Sequence, residues 1–283
     1  MEKKEINDLS EKIKTIKEEV DALQITIMKQ RSPWYKNIPT IISILALLFS
    51  FGTTIVSYKR TLDQDIQNRK GELRVILQRL AILPIDYVEY QKKYHDDQIA
   101  FGNILSSIAQ ENTLLVKQAS TIGNWLSKRK KIDSSEYISI GVALKNCYDL
   151  AEAEKFYKNG IEFAKKTKDF NNEIAALRNY AEILFLTGRQ AEGRHELENA
   201  MDIFSRYQDQ SGNNIFNEYT QYFTHIKTEL SWAKLESGIE SSSEIIRSHI
   251  NKAENYSKKL TPGPNTDQIK QEIIQTKKLL NLY

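Results

Sequence analysis

Few side chains in this sequence have the type and spacing that chemistry needs. His195 opens a His-Glu-Leu-Glu-Asn run, but position 199 is Asn199 where a zinc-binding HExxH helix carries its second histidine. His95, Asp96 and Asp97 are adjacent, so on a helix they point in different directions and read as solvated surface. Cys147 is the single cysteine, which excludes an internal disulfide and a CxxC site; with no His or Asn arrangement legible beside it, its reading is packing. Neither GxGxxG nor GxxxxGK[ST] occurs, so nucleotide phosphates have no cradle. The expectation is a non-enzyme with no metal and no cofactor. Lys128, Arg129, Lys130 and Lys131 form the one basic run. It reads as a solvated loop between helices, or as a contact for anionic lipid headgroups if that part of the chain is cytoplasmic. With 40 Lys and Arg against 37 Asp and Glu, the net charge of +3 leaves no nucleic-acid footprint.

The elements that must position these residues are helices. Only 11 glycines and 5 prolines occur in 283 residues, so turns are few, and an all-α chain is expected. The strongest single signal is the run from Asn37 to Tyr58, which contains no Asp, Glu, Lys, Arg or His. As a helix it spans ~33 Å, the thickness of a hydrocarbon core. Trp34, Tyr35 and Lys36 flank one end, and Tyr58, Lys59 and Arg60 the other, as interfacial anchors do. Because 36 residues with 15 charges precede the run, an uncleaved anchor is expected rather than a signal peptide. A core helix apolar on every face is the alternative. Lys29, Arg31 and Lys36 before the span against Lys59, Arg60, Arg69, Lys70 and Arg74 after it leave its sidedness open.

Heptad spacing lies on both sides. Ile6, Leu9, Ile13, Ile16, Val20, Leu23 and Ile27 follow at steps of three and four, an unbroken seam that predicts a coiled coil over 1–31 and a homo-oligomer. A lone amphipathic helix is the other reading. After the span, Leu62, Ile66, Leu73, Ile76, Leu80 and Leu83, with Arg69 at one seam position, predict a helical stalk over 59–83 that ends at Pro84. A further helical segment fills 84–131.

From 132 to 283 the chain repeats. Tyr137, Ile140, Gly141, Leu144, Leu150, Ala153, Tyr157 and Gly160 stand 40 positions before Leu177, Tyr180, Ala181, Leu184, Gln190, Gly193, Leu197 and Ala200. Small residues at Gly141, Ala153, Ala181 and Gly193 suit the close approach of two antiparallel helices, and Gly188 suits the turn between them. Leu230 and Ala233 with Ile246, Ile250 and Ala253 suggest a third, degenerate pair whose first helix begins near Asn214. Ile269, Ile273, Leu279 and Leu280 suit a terminal capping helix.

This order of large and small residues resembles the tetratricopeptide repeat, although the pitch of 40 exceeds that family's ~34. The resemblance covers about 70 residues clearly. It implies an α-solenoid whose first helices line a peptide-binding groove. The matching groove positions are Ile138, Val142, Lys145 and Asn146 in the first pair and Arg178, Asn179, Glu182 and Phe185 in the second. Of these, Lys145, Asn146, Arg178, Asn179 and Glu182 are the candidate peptide-binding residues. The whole then reads as a single-pass protein of the cell membrane: coiled coil, transmembrane helix 37–58, stalk and repeat domain. Its expected function is that of an adaptor or scaffold for a protein partner. An oligomeric membrane sensor or regulatory subunit, signalling through its coiled coils, is the alternative.

Overall fold

The computed structural model describes residues 2–29, 38–207 and 216–282. They form only helices: α1 (Glu2–Lys29), α2 (Ile38–Lys93), α3 (Gln98–Lys128), α4 (Ser134–Asn146), α5 (Leu150–Thr167), α6 (Phe170–Leu186), α7 (Gln190–Met201), α8 (Ile203–Arg206), α9 (Glu218–Gly238), α10 (Ser243–Ser257) and α11 (Pro264–Leu279). The chain divides into two compact units, 1–65 and 66–283.

Helix α2, which begins in the first unit, is long and apolar enough to cross a membrane. A core helix must bury its apolar side chains, yet none of the most apolar stretch of α2 is buried, and Leu48 and Phe49 stand exposed. The described seam residues of α1 have no deep core either. Ile13, Val20 and Leu23 are exposed. Ile13 and Ile16 line a shallow groove of about 270 Å³ with Leu47 and Phe51 of α2. The side chains of Ile6, Leu9 and Ile27 lie outside the described residues.

Helix α2 runs through Pro84 rather than stopping there, and the chain turns at 94–97, where the Asp97 side chain caps α3. Proline removes the bond to the Leu80 carbonyl and costs ~3 kcal/mol in a helix interior. Packing on both sides of the break outweighs that cost: Leu73, Ile76 and Leu83 are buried, and Tyr87 meets Phe101 of α3 at 5.9 Å. From Ile66 onward, the stripe that reads as a coil seam is therefore the face with which α2 joins the second unit. Tyr87–Phe101, Arg79–Glu111 and Arg69–Trp125 pair rising positions with falling ones, so α3 runs antiparallel to α2.

From α4 to α8 each helix packs on the next, α9 packs back on α7, and α10 and α11 follow in turn. The reversals share one geometry. Tyr148, Lys168, Gly188 and Glu240 adopt the left-handed conformation, and the residue after each donates its N–H to a carbonyl five positions back: Asp149 to Leu144, Asp169 to Ala164, Arg189 to Leu184, Ser241 to Glu236. This closes the last turn and leaves room for an N-cap at once. Asp149 and Asp169 cap α5 and α6, and Asp133 forms a capping box with Glu136 on α4.

The antiparallel pairs touch through small residues. A methyl group on Gly141 would sit 2.6 Å from the Tyr157 ring, and one on Gly193 would sit 2.5 Å from Phe185. Forty residues on, Ala181 and Leu197 share a buried cluster at the positions of Gly141 and Tyr157, so an added methyl on one helix accompanies a smaller side chain on the other. The third pair, α9 and α10, closes with α11 around Ile226, Leu230, Ile246, Ile250, Leu260, Ile269 and Ile273. Its first helix begins at Glu218, and Leu279 is exposed rather than capping.

Carboxylates tie the pairs together. Fully buried Glu236 of α9 accepts both arms of Arg194 of α7 at 2.7 and 2.8 Å, the indole N–H of Trp232 at 2.9 Å and the Ser241 hydroxyl at 2.6 Å. The Arg194 guanidinium holds the Glu236 carboxyl down at about 2. Glu154 of α5 is held likewise at about 2 by Arg189, at the start of α7, and by Lys158.

Two outcomes follow for the full chain in detergent. Gly141→Ala should lower its stability by ~1–3 kcal/mol despite the better helix former, because the methyl meets a packed ring. Adding Tyr157→Leu should restore ~0.5–3 kcal/mol as a coupling term, since the second pair already uses that combination. Thermal melts of the four chains of the cycle measure it. Glu236 has a depressed pKa, so its contribution is complete above the unfolded carboxyl value and fades as pH falls from ~5 toward 2. Melting temperature against pH should show that acid limb, and Glu236→Gln should lower the neutral plateau while flattening the limb.

Candidate functional site: a cationic cleft on α6 and α9

Arg178, Asn179 and Glu182 occupy one face of α6 at i, i+1 and i+4. Facing them, α9 presents Lys227, Ser231 and Lys234 at i, i+4 and i+7, one stripe of a helix. With Leu230 and with Glu272 of α11 they enclose a polar cleft of about 250 Å³. Lys145 reaches in from α4 and donates to Glu182 at 2.6 Å. Four of the five expected residues thus come together, and Asn146 does not. Asn146 instead lines a separate, mostly apolar cavity of about 580 Å³ between α2, α3 and α4, with Asn112, Ser139 and the exposed ring of Pro84.

Within the cleft most charges are matched. Lys145 pairs with Glu182 and Lys227 with Glu272. Asn179 donates its amide N–H to the Ala175 carbonyl at 2.8 Å, which leaves its side-chain oxygen for the cleft. Arg178 differs. Its half-buried guanidinium makes no ion pair or hydrogen bond among the described residues, and burial pushes its pKa below the ordinary value, with Glu272 pulling the other way. Lys234, exposed at the rim, likewise has no ion pair among the described residues. Four cations against two carboxylates leave the cleft positive. A planar guanidinium held out of bulk water, with its N–H donors unspent, accepts a carboxylate or another oxyanion in a bidentate manner.

Lys227, Ser231, Lys234 and Glu272 are absent from the sequence-based expectation. The spacing of 227, 231 and 234 was the available signal, but it becomes a groove-facing stripe only once α9 is known to start at Glu218. The remaining chemistry-bearing residues sit elsewhere. Asn112 donates to the Cys147 sulfur at 3.3 Å, and burial pushes the thiol pKa up, which suits a packed cysteine more than a reactive one. His95 lies 3.0 Å from Asp96, both exposed, and His195 is exposed on α7. No family model, curated protein or solved structure matches the chain.

A desolvated cation without a partner costs stability, whereas an apolar side chain of similar length does not. Arg178→Met should therefore leave the melting temperature of the full chain unchanged or raise it. A fall of several degrees would assign Arg178 to the fold instead of to a ligand.

Proposed function

We propose that the chain is a single-pass protein of the cell membrane whose C-terminal helical pairs form a tetratricopeptide-like interaction module. The cleft at Arg178 receives a carboxylate-bearing segment of a protein partner, and the protein acts as a membrane-tethered adaptor or scaffold without a catalytic step or cofactor of its own. The observation that carries this reading is the Arg178 guanidinium, half-buried, unmatched among the described residues and placed in a cleft with surplus positive charge. The three antiparallel pairs, the 40-residue offset between the first two and the use of first helices α6 and α9 as cleft walls support the resemblance to tetratricopeptide repeats. The exposed apolar face of α2 supports the anchor.

Exposed Ile13, Val20 and Leu23 favour a second element of the reading, self-association through α1. A chain oligomerised there on one side of a span and carrying a partner on the other could act as a sensor or regulatory subunit. Such a role needs the coil, whereas the scaffold needs only the anchor.

The test places a photo-crosslinking residue at Ser231 of the full chain in its native membranes. Protein adducts are expected. In the Arg178→Glu, Lys234→Glu variant they should fall at least tenfold, each lost charged hydrogen bond being worth ~1.5–3 kcal/mol. Lys145 is spared because its loss would strand Glu182. Undiminished adducts in a variant that melts normally would place the binding surface elsewhere.

A further inference from the structure

The basic run left over from the sequence lies at a particular place in the second unit. Because α3 runs antiparallel to α2, its last turn returns to the end of the unit where the chain arrives from residue 65. There Arg69 of α2 stacks on Trp125 of α3 at 4.8 Å, and Arg129 covers the same indole at 3.7 Å. Lys70 and Arg74 approach the buried Glu136 at 3.9 and 3.5 Å, while Arg74 keeps most of its side chain in solvent. Lys130 is left-handed, and the N–H groups of Lys130 and Lys131 close the end of α3 on Ser127 and Leu126. This turn leaves Lys128, Lys130 and Lys131 exposed, with no ion pair among the described residues. Across 66–74 and 125–136 stand seven basic residues and three acidic ones, and two of the acids, Asp133 and Glu136, are spent on the α4 capping box.

A solvated loop needs neither this gathering nor this position. Eight positions separate Ile66 from Tyr58, the last residue of the uncharged run, so however the connection runs Ile66 itself stays within ~28 Å of Tyr58. We propose that the Lys128–Lys131 turn, with Arg69 and Arg74 beside it, docks on the phosphate-bearing headgroups of an anionic lipid leaflet. Trp125, held between two guanidinia, is of the residue type that favours such an interface. The leaflet of this composition is the cytoplasmic one, so the docking also places the C-terminal unit in the cytoplasm. The inference rests on the proposed membrane anchor.

The full chain is reconstituted in nanodiscs of phosphatidylcholine alone and of phosphatidylcholine with phosphatidylserine, and amide exchange is followed over residues 128–133. Exchange should slow about fivefold or more in the phosphatidylserine discs, the factor expected from one cation near such a surface. The slowing should vanish at high ionic strength and in the Lys128→Gln, Lys130→Gln, Lys131→Gln variant. That variant should melt as the parent does, because none of the three lysines has an ion pair among the described residues. Equal exchange in both discs overturns the docking, as does slowing that survives in the triple variant. Slowing by inorganic phosphate in phosphatidylcholine discs shows a free-anion site instead and overturns the docking equally. Co-elution with the disc reports the anchor separately: a chain that co-elutes without lipid-dependent slowing refutes only the docking, and one that fails to co-elute refutes the anchor and the docking with it.

Discussion

Helices α4 to α7, and α9 with α10, pack on neighbours they can reach only by reversing within a few residues. The left-handed residue at the end of α4, α5, α6 and α9 makes that reversal possible. It closes the helix on its own carbonyls and releases the next residue to start another. Helix pairing is then a consequence of chain geometry as much as of apolar attraction. Only Gly188 among these four positions is a glycine; Tyr148, Lys168 and Glu240 hold the conformation at a cost that the packing on either side must offset. Where the following residue is aspartate, the new helix is capped by its side chain. Where it is Arg189 the cap is missing, and the arginine binds Glu154 of the preceding pair.

That exchange of a cap for a cross-pair contact shows how the pairs are joined. Within a pair, contact is steric: Gly141 under Tyr157 and Gly193 under Phe185 bring the backbones close. Between pairs, carboxylates act: half-buried Glu154 engages the start of α7 and buried Glu236 ties α9 to α7, while buried Glu173 of α6 holds Tyr207 and Arg206 just beyond its own partner α7. Apolar packing alone would tolerate sliding of one pair over the next, whereas a bidentate arginine fixes register. Surplus length in the 40-residue pitch thus need not loosen the stack.

Much of this was legible in the sequence because it depends on local pattern. The small residues at 141, 181 and 193, the turn at Gly188 and the uncharged run at 37–58 each carry a signal within a few positions of where they act. Pro84 misleads for a related reason: proline is a local stop signal, and only the burial of Leu73, Ile76 and Leu83 against distant parts of the chain carries α2 past it. The cleft is intermediate. Arg178, Asn179 and Glu182 follow from the register of α6, but Lys227, Ser231, Lys234 and Glu272 depend on where α9 begins and where α11 folds back, which no short spacing records. Asn146 lies apart from the cleft for the same reason, since it lines a cavity with α2 and α3 that no short spacing records.

The unmatched state of Arg178 gains its meaning from this background. The fold meets its own buried charges with partners: Glu236 has four donor contacts, Glu229 lies 2.6 Å from His249, and Lys145 and Lys227 each have a carboxylate. A chain that satisfies so many charges internally could have matched one more, since Glu182 and Glu272 line the same cleft as Arg178 and are directed to lysines instead. The lysine pairs neutralise the walls and leave the guanidinium as the strongest donor set facing the opening. Burial lowers the dielectric around it, so an arriving carboxylate meets a stronger field than any surface arginine would offer. Stability withheld at that position is available to a partner, and for that reason the cleft is a better candidate for recognition than the larger apolar cavity beside Pro84, whose lining offers shape but little to choose between ligands.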